Sequence, residues 1–186
     1  ARLTPQKGYD VLLAAAPEIL ARHAQTCFAW VGQGPEQSAL AARARRLGVS
    51  HAVRFLGHRD DVPALMAAAD LFVLPSRFEG HPLAVLEALA SGLPVVGTRV
   101  CGLDEAVIDG ETGLLVEAGR PQELAAAVLD LLGDASRRRH MGQAGRRLVA
   151  QRFHARLMAR ATMALYDQLL AAKLGCHAGG CRPPPG

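Results

Sequence analysis

Residues 75–97 read PSRFEGHPLAVLEALASGLPVVG, and they decide the fold. Just before them, residues 70–75 form an apolar run of the kind a parallel sheet buries on both faces. A polar loop over 76–81 then gives way to a helix over 82–91, which Gly92 ends, and 94–98 make another strand. Strand, helix, strand in that order implies a parallel crossover.

The same alternation runs outward in both directions. Residues 9–23 carry Leu12, Leu13, Ala16, Ile19 and Leu20 at helical spacing, with Pro17 expected to break or restart the helix. A strand over 26–31 is closed by Gly32-Gln33-Gly34-Pro35, and a helix over 36–47 is ended by Gly48. Residues 52–56 read as a strand and 61–69 as a short helix. On the other side come a short helix over 102–108, a turn at Asp109-Gly110 and a strand over 114–116. From 121 to about 170 the pattern is helical only, with breaks near Gly133 and Phe153. The expected class is α/β, a Rossmann-like doubly wound parallel sheet with C-terminal helices, over residues 1–170. Residues 171–186, with Gly179-Gly180 and Pro183-Pro184-Pro185, have the composition of an unstructured tail. No strand precedes the first helix after Ala1-Arg2-Leu3, so the first strand of such a sheet is expected to be missing.

Ligands of doubly wound sheets sit beyond the carboxyl ends of the strands, which directs attention to the loop at 76–81. Pro82 suits the first turn of a helix, where a missing N–H costs nothing. The amides of Leu83 and Ala84 would then point out of the helix end, a natural phosphate site, and Gly80 would let backbone approach a ligand. Glu79 lies just outside that end and Glu87 about a turn and a half inside, leaning back toward it. A carboxylate accepts two hydrogen bonds side by side and so matches the vicinal hydroxyls of a ribose or hexose. Two carboxylates flanking a phosphate site suit a nucleotide sugar.

Composition narrows the alternatives. Of 186 residues, half are hydrophobic and a fifth charged, which allows a real core and argues against wholesale disorder. One Trp, two Tyr and five Phe are too few for the stacking platforms of a single-strand nucleic-acid binder, so no nucleic-acid partner is expected. The net charge of +4 comes with arginine clusters at 43–46, 137–139 and 146–147. They read first as solvated helix faces, with peripheral contact to an anionic membrane surface as the alternative. Cys27 and Cys101 lie in apolar runs where a buried thiol is ordinary. Cys176, His177 and Cys181 lack the second ligand pair of a zinc site, and no metal is expected. With no disulfide framework and no membrane-length run, a cytoplasmic location is expected, with peripheral membrane association as the variant.

The whole run from 75 to 97 resembles the family 4 retaining glycosyltransferases of the two-domain GT-B fold. Their Pro-Ser-x-x-Glu-Gly-x-Pro block and two glutamates separated by seven residues match Glu79 and Glu87. Arg2 and Lys7-Gly8 resemble the family's Arg and Lys pair, Gly32-Gln33-Gly34 its Gly-x-Gly turn, and Phe55-Leu56-Gly57-His58 its base-side loop. Gly102-Leu103-Asp104-Glu105 and the segment 109–113 resemble its last blocks. The resemblance implies that Arg2 and Lys7 bind the diphosphate, Glu79 the donor sugar's hydroxyls and Glu87 the ribose. It also implies that the Gly57-His58 loop holds the base and that Gly80, His81, Pro82, Leu83 and Ala84 line the donor site. It makes Arg2, Lys7 and Glu79 the residues nearest the chemistry. The donor would be a UDP-, GDP- or ADP-sugar, used without metal. The acceptor, a glycan or lipid-linked glycan of cell-envelope or exopolysaccharide synthesis, would be bound by an N-terminal domain absent from these residues.

Read one at a time, these residues have plainer roles. Arg2 and Lys7 would be solvated charges, Glu87 a surface helix residue, and His58 and His81 loop-shaping side chains. Asp60, Asp61 and Asp104 would be helix starts, and Glu105 structural. The alternative function is a non-catalytic module that binds nucleotide or a protein partner. A pyridoxal-dependent phosphorylase is disfavoured, since Lys7 and Lys173 are the only lysines.

Overall fold

Val95 and Val96 are neighbours in sequence, both fully buried, and they belong to different cores. Strand residues alternate faces, so apolar layers cover both sides of the strand they share. A computed structural model describes residues 1–153 and 155–178. A 3-10 turn, Pro5–Lys7, leads into α1 (Tyr9–Arg22), followed by β1 (Phe28–Val31), α2 (Gln37–Arg46), β2 (Val53–Gly57) and α3 (Val62–Ala67). Then come β3 (Phe72–Leu74), α4 (Leu83–Ala90), β4 (Val95–Thr98), α5 (Leu103–Ala106) and β5 (Gly113–Val116). The helices α6 (Pro121–Gly133), α7 (Ala135–Arg152) and α8 (Ala155–Ala178) close the order.

Every strand pairing is parallel, and every crossover carries a helix, so the class is the α/β Rossmann-like one that the alternation implies. The strands form a β1-β2 pair and a β3-β4-β5 block, where the sequence suggested one continuous sheet. The first residues lie along the end of β1. The Ala1 ammonium donates to the Val31 carbonyl at 2.7 Å, the Leu3 amide donates to Gln33 at 3.0 Å, and the Leu3 side chain is fully buried.

One core holds α1, β1, α2, α6 and the Val96 face of β4. The other holds α4, α5 and the Val95 face, with Leu74 and Leu115 from the flanking strands. Burying one such valine or leucine contributes roughly 1.5–3 kcal/mol, which is why these short strands hold. In the first core Trp30 packs between Tyr9 and Phe55, with ring centroids at 4.8 and 5.1 Å. Its indole N–H is buried without an acceptor among the described residues. Burial pushes the Tyr9 hydroxyl up to about 12, so it stays protonated and donates to the Ala1 carbonyl at 3.4 Å.

Several sequence expectations change. Pro17 does not interrupt α1: it lies on the exposed side, and the buried Leu12, Leu13, Ala16 and Ile19 around it hold the helix in the core. Cys27 and Cys101 are exposed, not buried, since they sit in the connections before β1 and after β4 rather than in the strands. Asp61 is the N-cap of α3, the helix start expected, but its carboxylate makes no cap bond and pairs instead with Arg59 at 2.6 Å. Of the arginines read as solvated, Arg138 donates to the Leu131 and Leu132 carbonyls at the end of α6. There a cation also meets the negative end of the helix dipole.

Residues Ala1–Val149 form one compact unit, and a second begins at Ala150. The second is mainly α8, whose Met158, Leu165, Tyr166 and Leu169 are exposed. This helix reaches Ala178, past residue 170 where composition placed the start of a tail. The Gly179-Gly180, Cys181 and Pro183-Pro184-Pro185 readings lie outside the described residues, as do the side chains of Cys176 and His177. No helix of the described residues is long and apolar enough to cross a membrane.

Candidate functional site

The loop between β3 and α4 carries Glu79, and the 3-10 turn carries Lys7. The two are 72 positions apart in the chain, yet backbone bonds lace them together. The Arg77 amide donates to the Gln6 carbonyl at 2.8 Å, and the Gln6 side-chain amide donates to the Phe78 carbonyl at 3.0 Å. Gly8, in the left-handed region at φ 66°, lies so close that a Cβ would overlap the Pro75 carbonyl oxygen. On the other side Thr98 donates its hydroxyl to the Ser76 carbonyl at 2.5 Å. Gly102, at φ 81°, leaves no space for a Cβ beside the Gly80 carbonyl.

These contacts bring the Lys7 ammonium to 2.6 Å from Glu79 Oε1, which also accepts from the Ser76 hydroxyl at 2.6 Å. The Glu79 side chain is only 5% exposed and Lys7 17%. A carboxylate so enclosed is stable as an anion only when paired and hydrogen-bonded, and here it has both a cation and a hydroxyl. Burial is the main influence lowering the affinity of the Ala1 ammonium for its proton; Lys7 adds to this effect and Glu87 opposes it. Arg2 is exposed and has no ion-pair partner among the described residues.

The start of α4 differs in detail from the sequence expectation. Pro82 is the N-cap, in extended conformation, not a first-turn residue. The first bond into the helix runs from the Val85 amide to the Pro82 carbonyl at 2.9 Å. The amides of Leu83 and Ala84 precede it, as a helix start dictates. Leu83 is 67% exposed, and Glu87, one turn on, shares that open side. Gly57, at φ 67°, accepts from the Gly32 amide through its carbonyl at 2.7 Å. This ties the Gly-Gln-Gly turn to the end of β2. His58 is exposed and 3.5 Å from Asp60; together with Arg59 and Asp61 they line an open polar hollow of about 290 Å³. A Cβ at Gly80 would meet nothing, so no protein neighbour demands glycine there. His81 is exposed beside it. Among the described residues no group of three or more His, Cys, Asp or Glu side chains gathers as a metal site would require.

Thr98, Gln6 and the pair Arg77 and Asp10 were not singled out by the sequence reading, and Gly102 entered it only as part of a block. Arg77 donates to both Asp10 carboxylate oxygens, at 2.9 and 2.7 Å. That hydrogen bonding is the main reason the Asp10 carboxyl is held below the ordinary aspartate value. A depressed folded-state pKa contributes stability above the unfolded value, near 3.9, and the contribution is lost as pH falls through the folded value. Asp10→Ala is therefore expected to melt lower than the parent near neutrality and to lose less than the parent does below about pH 4. Thermal melts across that range measure it, and parallel acid limbs would contradict it.

The family described as "Glycosyl transferases group 1" matches residues 1–134. A glycogen synthase of Mycobacterium tuberculosis is 38% identical over 176 residues, covering 94% of this chain and 42% of that protein. A GDP-mannose-dependent alpha-(1-6)-phosphatidylinositol monomannoside mannosyltransferase of Mycolicibacterium smegmatis is 42% identical over 154 residues, covering 78% and 40%. The crystal structure of Anabaena Alr3699/HepE in complex with UDP superposes with a TM-score of 0.83 at 30% identity, covering 90% of this chain and 47% of that one. The chain thus spans about two fifths of the length of these curated relatives.

Proposed function

Because the chain belongs to the glycosyl transferases group 1 family, we propose that it is the donor-binding half of a retaining, family 4 type glycosyltransferase. Its ligand would be a nucleoside-diphosphate sugar. The observation that carries this reading is the enclosed Lys7–Glu79 pair, with Glu79 on the loop that leads into α4. Under this reading diphosphate and sugar meet at the Lys7–Glu79 pair, and the ribose at Glu87.

Arg2 and Lys7, with the amides of Leu83 and Ala84, would hold the diphosphate. Glu79 would accept from the sugar's hydroxyls, and Glu87 from the ribose. The Gly57-His58 loop would hold the base, and Gly80, His81 and Pro82 the wall between. When the glycosyl–phosphate bond breaks, its electron pair stays on the leaving oxygen. Fixed cations and helix amides stabilise that charge as it forms, without a metal. The acceptor hydroxyl would attack from the same face and give its proton to the leaving phosphate, which retains anomeric configuration. Glu79 is not a nucleophile in this scheme, so the carboxylate-pair geometry of glycoside hydrolases does not apply. A second, N-terminal domain would bring the acceptor, a glycan or lipid-linked glycan of envelope polysaccharide synthesis. The setting would be the cytoplasm or its membrane face. The UDP complex of HepE and the GDP-mannose dependence of the mycobacterial relative make UDP and GDP the first candidates, ahead of ADP.

Calorimetry on this chain with UDP, GDP and ADP is expected to give binding to one of them with Kd on the order of 0.1–1 mM. It is expected to transfer no sugar by itself. Heat from none of the three, with the chain folded by circular dichroism, would remove the nucleotide site.

A further inference from the structure

We infer that the Arg77–Asp10 fork is a positioning device that fixes the distance between Glu79 and Lys7. Glu79 sits on a loop and Lys7 ends a single 3-10 turn, and neither a strand ladder nor an α-helix holds the two in register. Arg77 is two residues from Glu79, and Asp10 is three from Lys7. The Arg77 guanidinium makes two parallel bonds to the Asp10 carboxylate and a third, at 2.5 Å, to the Pro5 carbonyl. It therefore grips both the first turn of α1 and the turn that carries Lys7. Two parallel bonds between planar groups fix orientation as well as distance. The Arg77 amide completes the grip by donating to Gln6.

Magnitudes separate this role from simple stabilisation. Arg77 and Asp10 are each more than a quarter exposed, and ion pairs so placed contribute about 1 kcal/mol or less to stability. A shift of about 1 Å between two groups that share a ligand, by contrast, can cost on the order of a hundredfold in function. The fork therefore matters for where Glu79 lies more than for whether the chain folds. The geometry stands by itself; its effect on ligand rests on the nucleotide-sugar reading.

The test combines amide hydrogen exchange in the free chain with UDP calorimetry, for Arg77→Gln, Arg77→Lys, Asp10→Ala and Asp10→Glu. Exchange at position 77 is expected to quicken at least about tenfold in Arg77→Gln and Asp10→Ala, while Val96 in β4 keeps its protection. UDP affinity is expected to fall about tenfold in both, because the fork also holds the Pro5 carbonyl of the turn that carries Lys7, the cation assigned to the diphosphate. Arg77→Lys keeps the charge but cannot fork, so it should behave like Arg77→Gln, whereas Asp10→Glu should restore most of both signals. Unchanged exchange at position 77 overturns the inference, and so does quickened exchange with UDP affinity intact. If the parent chain binds no UDP while the exchange differences appear, the nucleotide reading fails and the fork stands. Asp10→Ala leaves loop 76–80 untouched, so it decides the matter should Arg77→Gln lose Val96 protection.

Discussion

Glu79→Ala, in a transfer-competent protein carrying this domain, is expected to lose at least about a thousandfold in sugar transfer, roughly 4 kcal/mol of barrier. UDP should still bind within about threefold of the parent. The first half of the expectation follows from enclosure: the Glu79 carboxylate is almost wholly buried and held by Ser76 and Lys7. Preorganised groups of this kind contribute about two to three decades in rate when removed singly, and this one also orients its neighbour. The second half follows from charge. In the free chain Glu79 already neutralises the Lys7 ammonium, so a diphosphate must share that cation with the carboxylate. Deleting the carboxylate leaves Lys7 free for phosphate, which offsets lost contacts and keeps nucleotide affinity level or slightly tighter. Turnover within tenfold of the parent would remove Glu79 from the chemistry. A collapse of UDP binding together with turnover would assign it to ground-state binding instead.

The second large effect concerns a residue with no side chain. Gly8→Ala is expected to destabilise the chain by at least ~3 kcal/mol and to abolish UDP binding. The left-handed conformation alone costs a non-glycine residue about 1–2 kcal/mol. The remainder comes from the Cβ, which would overlap the Pro75 carbonyl oxygen, a backbone atom that cannot swing aside. To relieve it the loop bearing Glu79 must move away from the turn bearing Lys7. For a domain of this size the melting temperature should fall by about 6–12 °C. Gly48→Ala is the control: it shares the positive φ, at 72°, but a Cβ there meets nothing, so only the conformational cost of about 1–2 kcal/mol remains. Equal losses in the two variants would show that packing against Pro75 is unimportant.

Periodicity revealed the order of elements because each strand and helix here obeys its local pattern. Val95 and Val96 lay in a stretch read simply as a strand, and that both its faces are covered emerges only from the fold. Glu79 and Glu87 were legible from the helix end they flank, Lys7 and Arg2 through motif resemblance, and the structure brings Glu79 against Lys7 directly. Asp10 and Arg77 were not legible, since 67 positions separate them and each looks like an ordinary surface charge. Gly102 was read as part of a sequence block, while its physical task, making room for the Gly80 carbonyl, depends on a fold contact that local pattern does not encode. The reverse holds for Gly80, whose surroundings in the protein are open. Pro17 misled because a proline's effect on a helix depends on which side faces water, and the pattern near residue 17 gives that only weakly.

The chain's single tryptophan gives the molecule a built-in optical reporter. Trp30 lies in a dry aromatic stack between Tyr9 at the head of α1 and Phe55 in β2. Its emission therefore senses the joint between the amino-terminal helix and the first strand pair, within the core that also takes in the Val96 face of β4. Lys7 is two residues from that stack, so the same fluorophore watches the turn that carries the site's buried cation. Titrations that loosen that turn can be followed by colour, without a label.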